Sequence, residues 1–187
     1  MKENELLFIT GNKTKFREVQ QILYEEGKIT VKKKKLEILE PKLKSLKETS
    51  LYKAKEAFKI LKVPLITDDT GIIFEEFENF PGPYSRLFYE MVGFKGIMNI
   101  LRGCNRNAYY RSFITYTDDG KNFGQFEGCY HGKIAMTVSK TIDEYFPYDA
   151  IFIPNDINKI RSEVSKNLQI KNSHRRKALK KLLLLTK

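Results

Sequence analysis

ELLFITGNKTKFREVQQIL, residues 5–23, decides the fold. Leu6 to Ile9 form an apolar run of strand length. Gly11-Asn12 follows, and then Phe16, Val19, Ile22 and Leu23 recur at the spacing of one helix face. A strand that turns through a glycine into an amphipathic helix opens an α/β pattern. Working outward, residues 28–36 combine β-branched residues with the run Lys32 to Lys35, which suits an exposed sheet edge kept from aggregating by charge. Leu51, Ala54, Phe58 and Leu61 predict a second helix over about 46–62, ended by Pro64. Leu65-Ile66-Thr67 reads as a short strand with a loop from Asp68, and Phe80-Pro81-Gly82-Pro83 as a rigid turn. Residues 84–101 are helical in pattern, broken near Gly93. Residues 108–116 and 122–131 flank Thr117-Asp118-Asp119-Gly120, a hairpin with Asp-Gly turn chemistry. Further strands are expected at 133–138 and 150–153, and a basic helix from Ser173. Early alternation and later clustering of strands predict α/β with a mixed sheet, in a single domain covering 1–187.

The 187 residues, 41% hydrophobic and 12% aromatic, suffice for a packed core. No apolar run approaches the roughly 20 residues that span a bilayer. The first ten residues lack the pattern of a signal peptide. Cys104 and Cys129, the only cysteines, make neither a disulfide framework nor a C-x-x-C pair, so a cytoplasmic setting is expected. The net charge of +11 attracts polyanions, but it also fits a lysine-rich solvated surface and does not decide function.

Five stretches could carry chemistry. Thr10, Gly11, Asn12, Lys13, Thr14 and Lys15 lie at a strand-to-helix junction, where free N–H groups and the helix dipole favour phosphate. The same stretch could be an ordinary turn with Asn12 as cap; its spacing is not that of a P-loop. Asp68-Asp69-Thr70-Gly71 offers carboxylates for an oxygen-preferring ion and for orienting water, or a polar turn. Asp118-Asp119-Gly120 looks similar and is assigned to the hairpin. Glu48 and Lys53 could line one cleft, although a solvated helix face explains them as well. Phe146, Pro147, Tyr148 and Asp149 suit either stacking on a base or a core-facing turn. Ser173-His174-Arg175 opens the last helix; arginine suits phosphate or a carbonyl acceptor, and Ser173 also reads as a plain N-cap.

In this order the motifs resemble the inosine triphosphate pyrophosphatase family, the noncanonical purine nucleoside triphosphate pyrophosphatases. Thr10-Gly11-Asn12 with Lys15 and Glu18 is similar to T-G-N-x-x-K-x-x-E, and Glu48 through Ala54 to E-N-A-x-x-K-A. Asp68 through Gly71 resembles D-D-S/T-G, and Pro81-Gly82 with Tyr84-Ser85 resembles P-G-x-Y-S. Phe126-Glu127-Gly128 with Gly132-Lys133-Ile134 is similar to G-x-x-x-G-x-I, residues 146–152 to F-G-Y-D-P-I-F, and Ser173-His174-Arg175 to S-H-R. The resemblance implies an elongated mixed sheet with flanking helices, two lobes around a central nucleotide-binding cleft, and a homodimer.

It also implies roles. Residues 10–15 and Lys53 would hold the triphosphate of inosine, deoxyinosine or xanthosine triphosphate, with Thr70 beside them. Asp69 would bind Mg²⁺ and activate water with Asp68 nearby, and Glu40 or Glu48 would complete the metal site. Residues 146–149 would hold the base, and His174 and Arg175 would read its 6-oxo group. Two family positions differ: Pro147 replaces a glycine and Ala150 a proline. Gln169 stands where the family has a nucleotide-contacting lysine, and Lys166 or Lys171 could stand in after a local shift. Two other readings stay open: a Maf-like nucleotide pyrophosphatase with another base preference, and a basic nucleic-acid-binding protein. The first expectation involves no membrane and no specific nucleic acid.

Overall fold

The computed structural model describes residues 5–39, 41 and 43–185. β1 (Glu5–Ile9) leads through Asn12 into α1 (Lys13–Gly27), and β2 (Thr30–Lys34) precedes α2 (Leu46–Leu61). Then follow β3 (Leu65–Phe74), α3 (Ser85–Ile100), β4 (Asn107–Thr117), β5 (Gly124–Ile134), β6 (Phe152–Pro154), α4 (Lys166–Lys171) and α5 (His174–Leu185). The six strands form one mixed sheet in the order β2-β1-β3-β4-β5-β6, flanked by helices. β2, with its lysines, is the edge strand that its charge pattern predicts. Among the described residues, no helix is long and apolar enough to cross a membrane.

The helices begin and end for local reasons. Asn12 Oδ1 accepts from the Lys15 N–H at 2.9 Å and caps α1, and Lys28 ends it in the left-handed region at φ 54°. Ser45 caps α2 by accepting from the Glu48 N–H at 3.1 Å. Val19, Ile22 and Leu23 are fully buried, the face that their spacing predicts. Gly93 breaks α3 with φ 59°.

Three expectations about the strands need correction, and one helix is additional. The chain does not enter a loop at Asp68: β3 continues to Phe74, because β4 pairs with it from Leu65↔Thr117 to Phe74↔Ala108. No separate strand covers 133–138: β5 runs unbroken to Ile134, after which the Ala135 and Ser139 N–H groups bond to Ile151 and Ala150 rather than to a neighbouring strand. The last strand starts at Phe152, since residues 147–150 form a 3₁₀ turn. The short helix α4 ahead of Ser173 has no counterpart in the sequence reading, being too short to show a period.

Two apolar clusters share the central strands. One joins Phe8, Ile22, Ile66 and Leu179, and the other joins Ile72, Phe74, Ile97 and Phe152. On the same face of β3, between Ile66 and Ile72, stand Asp68 and Thr70. Thr67, Asp69, Gly71 and Ile73 alternate to the opposite face, where the Thr67 hydroxyl donates to the Ser50 carbonyl of α2 at 2.8 Å. Gly71 is required by its neighbour: a Cβ there would lie 2.1 Å from the Gly82 carbonyl oxygen.

Candidate active site

β1 stops pairing with β3 at Ile9↔Thr67, while β3 runs on for seven residues beside β4 alone. A cleft therefore opens where the parallel strand ends and α1 begins, the usual ligand position in open α/β sheets. One cavity of about 270 Å³ is lined by Thr10, Gly11, Asn12, Lys15, Lys53 and Asp68, with Ile9, Leu36 and Ile38. A second, of about 380 Å³, shares Asn12 and Lys15 and continues past Asp69, Thr70 and Gly71 to Tyr110, Tyr145, Phe146, Pro147 and Tyr148. The first is rich in cations and main-chain polar groups, and the second is aromatic.

The two adjacent aspartates have different surroundings because strand alternation separates them. Asp68 is buried with its oxygens fully engaged. Oδ2 meets Lys15 Nζ at 3.0 Å and Arg175 Nε at 2.9 Å. Oδ1 accepts from Thr70 at 2.8 Å and Ser112 at 2.5 Å. Burial pushes this carboxyl up, but Lys15, then Arg175 and the two hydroxyls, outweigh it and hold the group well below the usual carboxylate range. Among the described residues, Asp69 has one close cation, Lys53 Nζ at 3.3 Å. Burial dominates there and pushes the carboxyl up to about 6, against Lys53 and Lys15. Asp69 is thus a carboxylate short of positive charge next to a cation-lined cavity, the environment of a general base or metal ligand.

That difference has a thermodynamic consequence of definite sign. An aspartate in the unfolded chain titrates near ~3.9. Asp69 binds its proton more tightly when folded, so its contribution to stability is present below about pH 4 and is lost as pH rises through about 6. A displacement of this size corresponds to about 2–3 kcal/mol. Asp68 contributes in the opposite sense: its stabilisation is present above about pH 4 and lost on acidification. With chelator present and nucleotide absent, Asp69→Asn should gain stability relative to wild type between about pH 4 and 7. Urea unfolding across that range measures it; two curves parallel in pH would contradict the assignment.

Beyond Asp68, the polar network reaches into α5. Arg175, 1% exposed, also pairs with buried Glu18 of α1, and its guanidinium lies 5.2 Å from the Phe146 ring centroid. His174 is buried and stacks on Tyr110 at 4.9 Å and 21°. Burial and the neighbouring Arg175 and Arg161 keep its ring neutral, with a pKa well below the usual histidine range. The Tyr110 hydroxyl donates to Asp149 Oδ1 at 2.8 Å, and Arg161 pairs with Asp149 Oδ2. The Tyr148 hydroxyl donates to the Ser85 carbonyl at 2.8 Å.

The structure therefore brings together Thr10 to Asn12, Lys15, Lys53, Asp68 to Thr70, 146–149 and 174–175, but neither Lys13 nor Thr14 lines either cavity. Lys13 is an exposed helix-start residue, while Asn12 serves both as cap and as cavity lining. Gln169 is buried, its amide donating to the Val164 carbonyl at 2.9 Å while Oε1 accepts from Lys166 at 3.2 Å. Glu48 is exposed in the first turn of α2, and Glu40 lies outside the described residues. Among the described residues, no three His, Cys, Asp or Glu side chains gather as a metal cluster. The donor set at Asp69 nonetheless suits a hard cation that takes one or two carboxylates and completes its shell with phosphate oxygens and water. Asp119 accepts from the Lys121 and Asn122 N–H groups at 2.8 Å each, the turn role expected of it.

Four contributors escaped the sequence reading. Tyr110 and Ser112 sit on β4 opposite Ile72 and Thr70, so their polar alternation carries a signal only once the strand register is known. Glu18 belongs to the first motif but carried no role, and Arg161 lies in no motif at all.

A mixed α/β sheet with a strand-to-helix junction beside an acidic strand and an aromatic cavity is an architecture suited to binding nucleotides. The Ham1 family model matches residues 6–185, and the chain belongs to that family. It is 36% identical to the dITP/XTP pyrophosphatase of Methanopyrus kandleri, over 95% of this chain and 93% of that protein. It is 34% identical to the inosine triphosphate pyrophosphatase of Candida glabrata, over 95% of each chain. The solved Ham1 protein of Staphylococcus aureus shares the fold with a TM-score of 0.80, at 22% identity over 97% of each chain.

Proposed function

We propose that the protein hydrolyses noncanonical purine nucleoside triphosphates (inosine, deoxyinosine and xanthosine triphosphate) to the monophosphate and pyrophosphate. The observation that carries this reading is the charge-poor carboxylate of Asp69, which lines the aromatic cavity and meets Lys53 of the cation-lined one. In it, Lys15, Lys53 and the N–H groups at the start of α1 hold the triphosphate, and the aromatic residues around Phe146 hold the base. Asp69 orients a water toward the α-phosphorus and takes its proton as the oxygen–phosphorus bond forms; the bond to the β-phosphate oxygen breaks and pyrophosphate leaves. Asp68, fixed by Lys15 and Arg175, anchors the strand that aims Asp69. Mg²⁺ would be held by Asp69, with Glu48 or Glu40 completing the set, and when bound it would neutralise phosphate charge.

Selectivity follows from buried polar groups that a 6-oxo purine satisfies and a 6-amino purine leaves unpaired. His174 and Arg175 are the residues assigned to that edge. The same reading places the enzyme in the cytoplasm as a homodimer. Family membership favours it over a Maf-like enzyme or a nucleic-acid-binding protein. A panel of purine triphosphates with Mg²⁺, scored for pyrophosphate release, tests it: 6-oxo substrates should be turned over far faster than adenosine triphosphate, and equal rates would overturn the reading. Lys53 is assigned in this scheme to the triphosphate, which every substrate shares. Lys53→Ala should therefore depress hydrolysis of inosine and adenosine triphosphate by a similar factor, leaving their kcat/KM ratio near the wild-type value. A selective loss for one base would remove Lys53 from the phosphate role.

A further inference from the structure

A second group of buried charge, apart from the one at Asp68, surrounds Asp149, and one of its members lies in no recognised motif. Arg161 is 4% exposed. Its Nη1 pairs with Asp149 Oδ2, its Nη2 meets the Gln169 carbonyl at 3.4 Å, and its guanidinium carbon lies 5.8 Å from the Tyr110 ring centroid. Its Nε and both ring nitrogens of His174 have no hydrogen-bond partner among the described residues, although all are buried. Buried donors of this kind are normally satisfied, so a cluster of them marks a place prepared for a polar ligand. Gln169 carries no charge, and its amide is committed to Val164 and Lys166. Lys166 and Lys171 are exposed. Arg161 is thus the buried cation that pairs with Asp149, while Arg175 is committed to Asp68 and Glu18.

We propose that Arg161 is a positioning residue that sets purine discrimination by holding Asp149 and Tyr110 in one arrangement beside His174. The inference rests on the function proposed above. The chemistry is that of a fixed acceptor. An ionised Asp149 can only accept hydrogen bonds. A 6-oxo purine offers an N1–H donor, whereas adenine presents a bare N1 acceptor that a carboxylate repels. Burial raises the Asp149 carboxyl above its usual value, toward a protonated form that would donate instead and erase the distinction; Arg161 is the strongest influence opposing that rise, followed by the hydroxyl of Tyr110. The same pair fixes the Tyr110 ring on which His174 stacks.

The test compares full-length wild type with Arg161→Met, Arg161→Lys and the double variant Asp149→Asn/Arg161→Met. Two quantities are read: the kcat/KM ratio of inosine to adenosine triphosphate, and the affinity for inosine monophosphate against adenosine monophosphate by calorimetry. Arg161→Met should lower the ratio about 10- to 100-fold, mostly through KM for inosine triphosphate, with a matching loss of inosine monophosphate affinity. Arg161→Lys should recover part of it, and adding Asp149→Asn should cost nothing more. An Arg161→Met enzyme that keeps the wild-type ratio overturns the proposal, as do equal losses on both bases, which would mark a merely structural role. If Arg161→Met fails to fold, the lysine and double variants decide by the same ratio, since neither leaves the buried carboxylate without a partner. A wild-type enzyme without base preference overturns the proposed function, and this inference with it. A discriminating wild type with indifferent Arg161 variants overturns this inference alone.

Discussion

Asp69→Asn should reduce kcat/KM for inosine triphosphate by at least about 10²–10⁴-fold, the range for loss of general-base assistance. Asparagine keeps the shape of the side chain and its contact with Lys53, and removes the charge that polarises water and holds a cation. The adjacent carboxylate cannot take over, because strand alternation turns Asp68 to the other face and all its oxygens are already bonded to Lys15, Arg175, Thr70 and Ser112. Asp119→Asn, in the lookalike Asp-Asp-Gly of the hairpin, should leave activity close to wild type, since that side chain is occupied in its own turn. Steady-state kinetics on both variants decide the point. Equal behaviour of the two would place the reacting carboxylate elsewhere.

Arg175→Ala should be the most destabilising single change at the site, by about 3–5 kcal/mol, the cost of leaving buried charges without their partner. Arg175 bridges Asp68 of β3 and Glu18 of α1, and it is 1% exposed. Removing it leaves buried Glu18 without its cation and Asp68 with Lys15 as its one close cation among the described residues. Their repulsion and desolvation act at the junction of the sheet with α1 and α5. Denaturant unfolding at neutral pH measures the loss, and Glu18→Gln added to Arg175→Ala should return part of it. Base reading is a separate consequence: the resemblance assigns Arg175 to the 6-oxo group, which would add about a 10- to 150-fold loss of preference for inosine triphosphate over adenosine triphosphate. Measured well below the unfolding midpoint, that ratio separates the two jobs. A stable Arg175→Ala protein would contradict the network described here.

The same residues show what a chain reveals before it is folded. The opening strand, α1 with its Asn12 cap, the lysine-rich edge strand and the Asp-Gly hairpin were all readable, because each depends on local spacing or on one residue's backbone preference. The extension of β3 through Asp68 to Phe74 was not. Asp-Asp-Thr-Gly has the composition of a turn, and only pairing with β4 holds it extended. That pairing also separates the two aspartates, which the linear sequence shows merely as neighbours. Within the candidate site, the motif residues were legible through their order along the chain. Ser112, Tyr110 and Arg161 were not: they meet their partners across 44, 39 and 12 positions respectively, through register and packing rather than pattern.

The central claim is the position of cleavage, and product analysis tests it most directly. Purified protein with inosine triphosphate and Mg²⁺ should yield inosine monophosphate and pyrophosphate in equal amounts from the first turnovers. Inosine diphosphate with free phosphate as the main products would contradict the account.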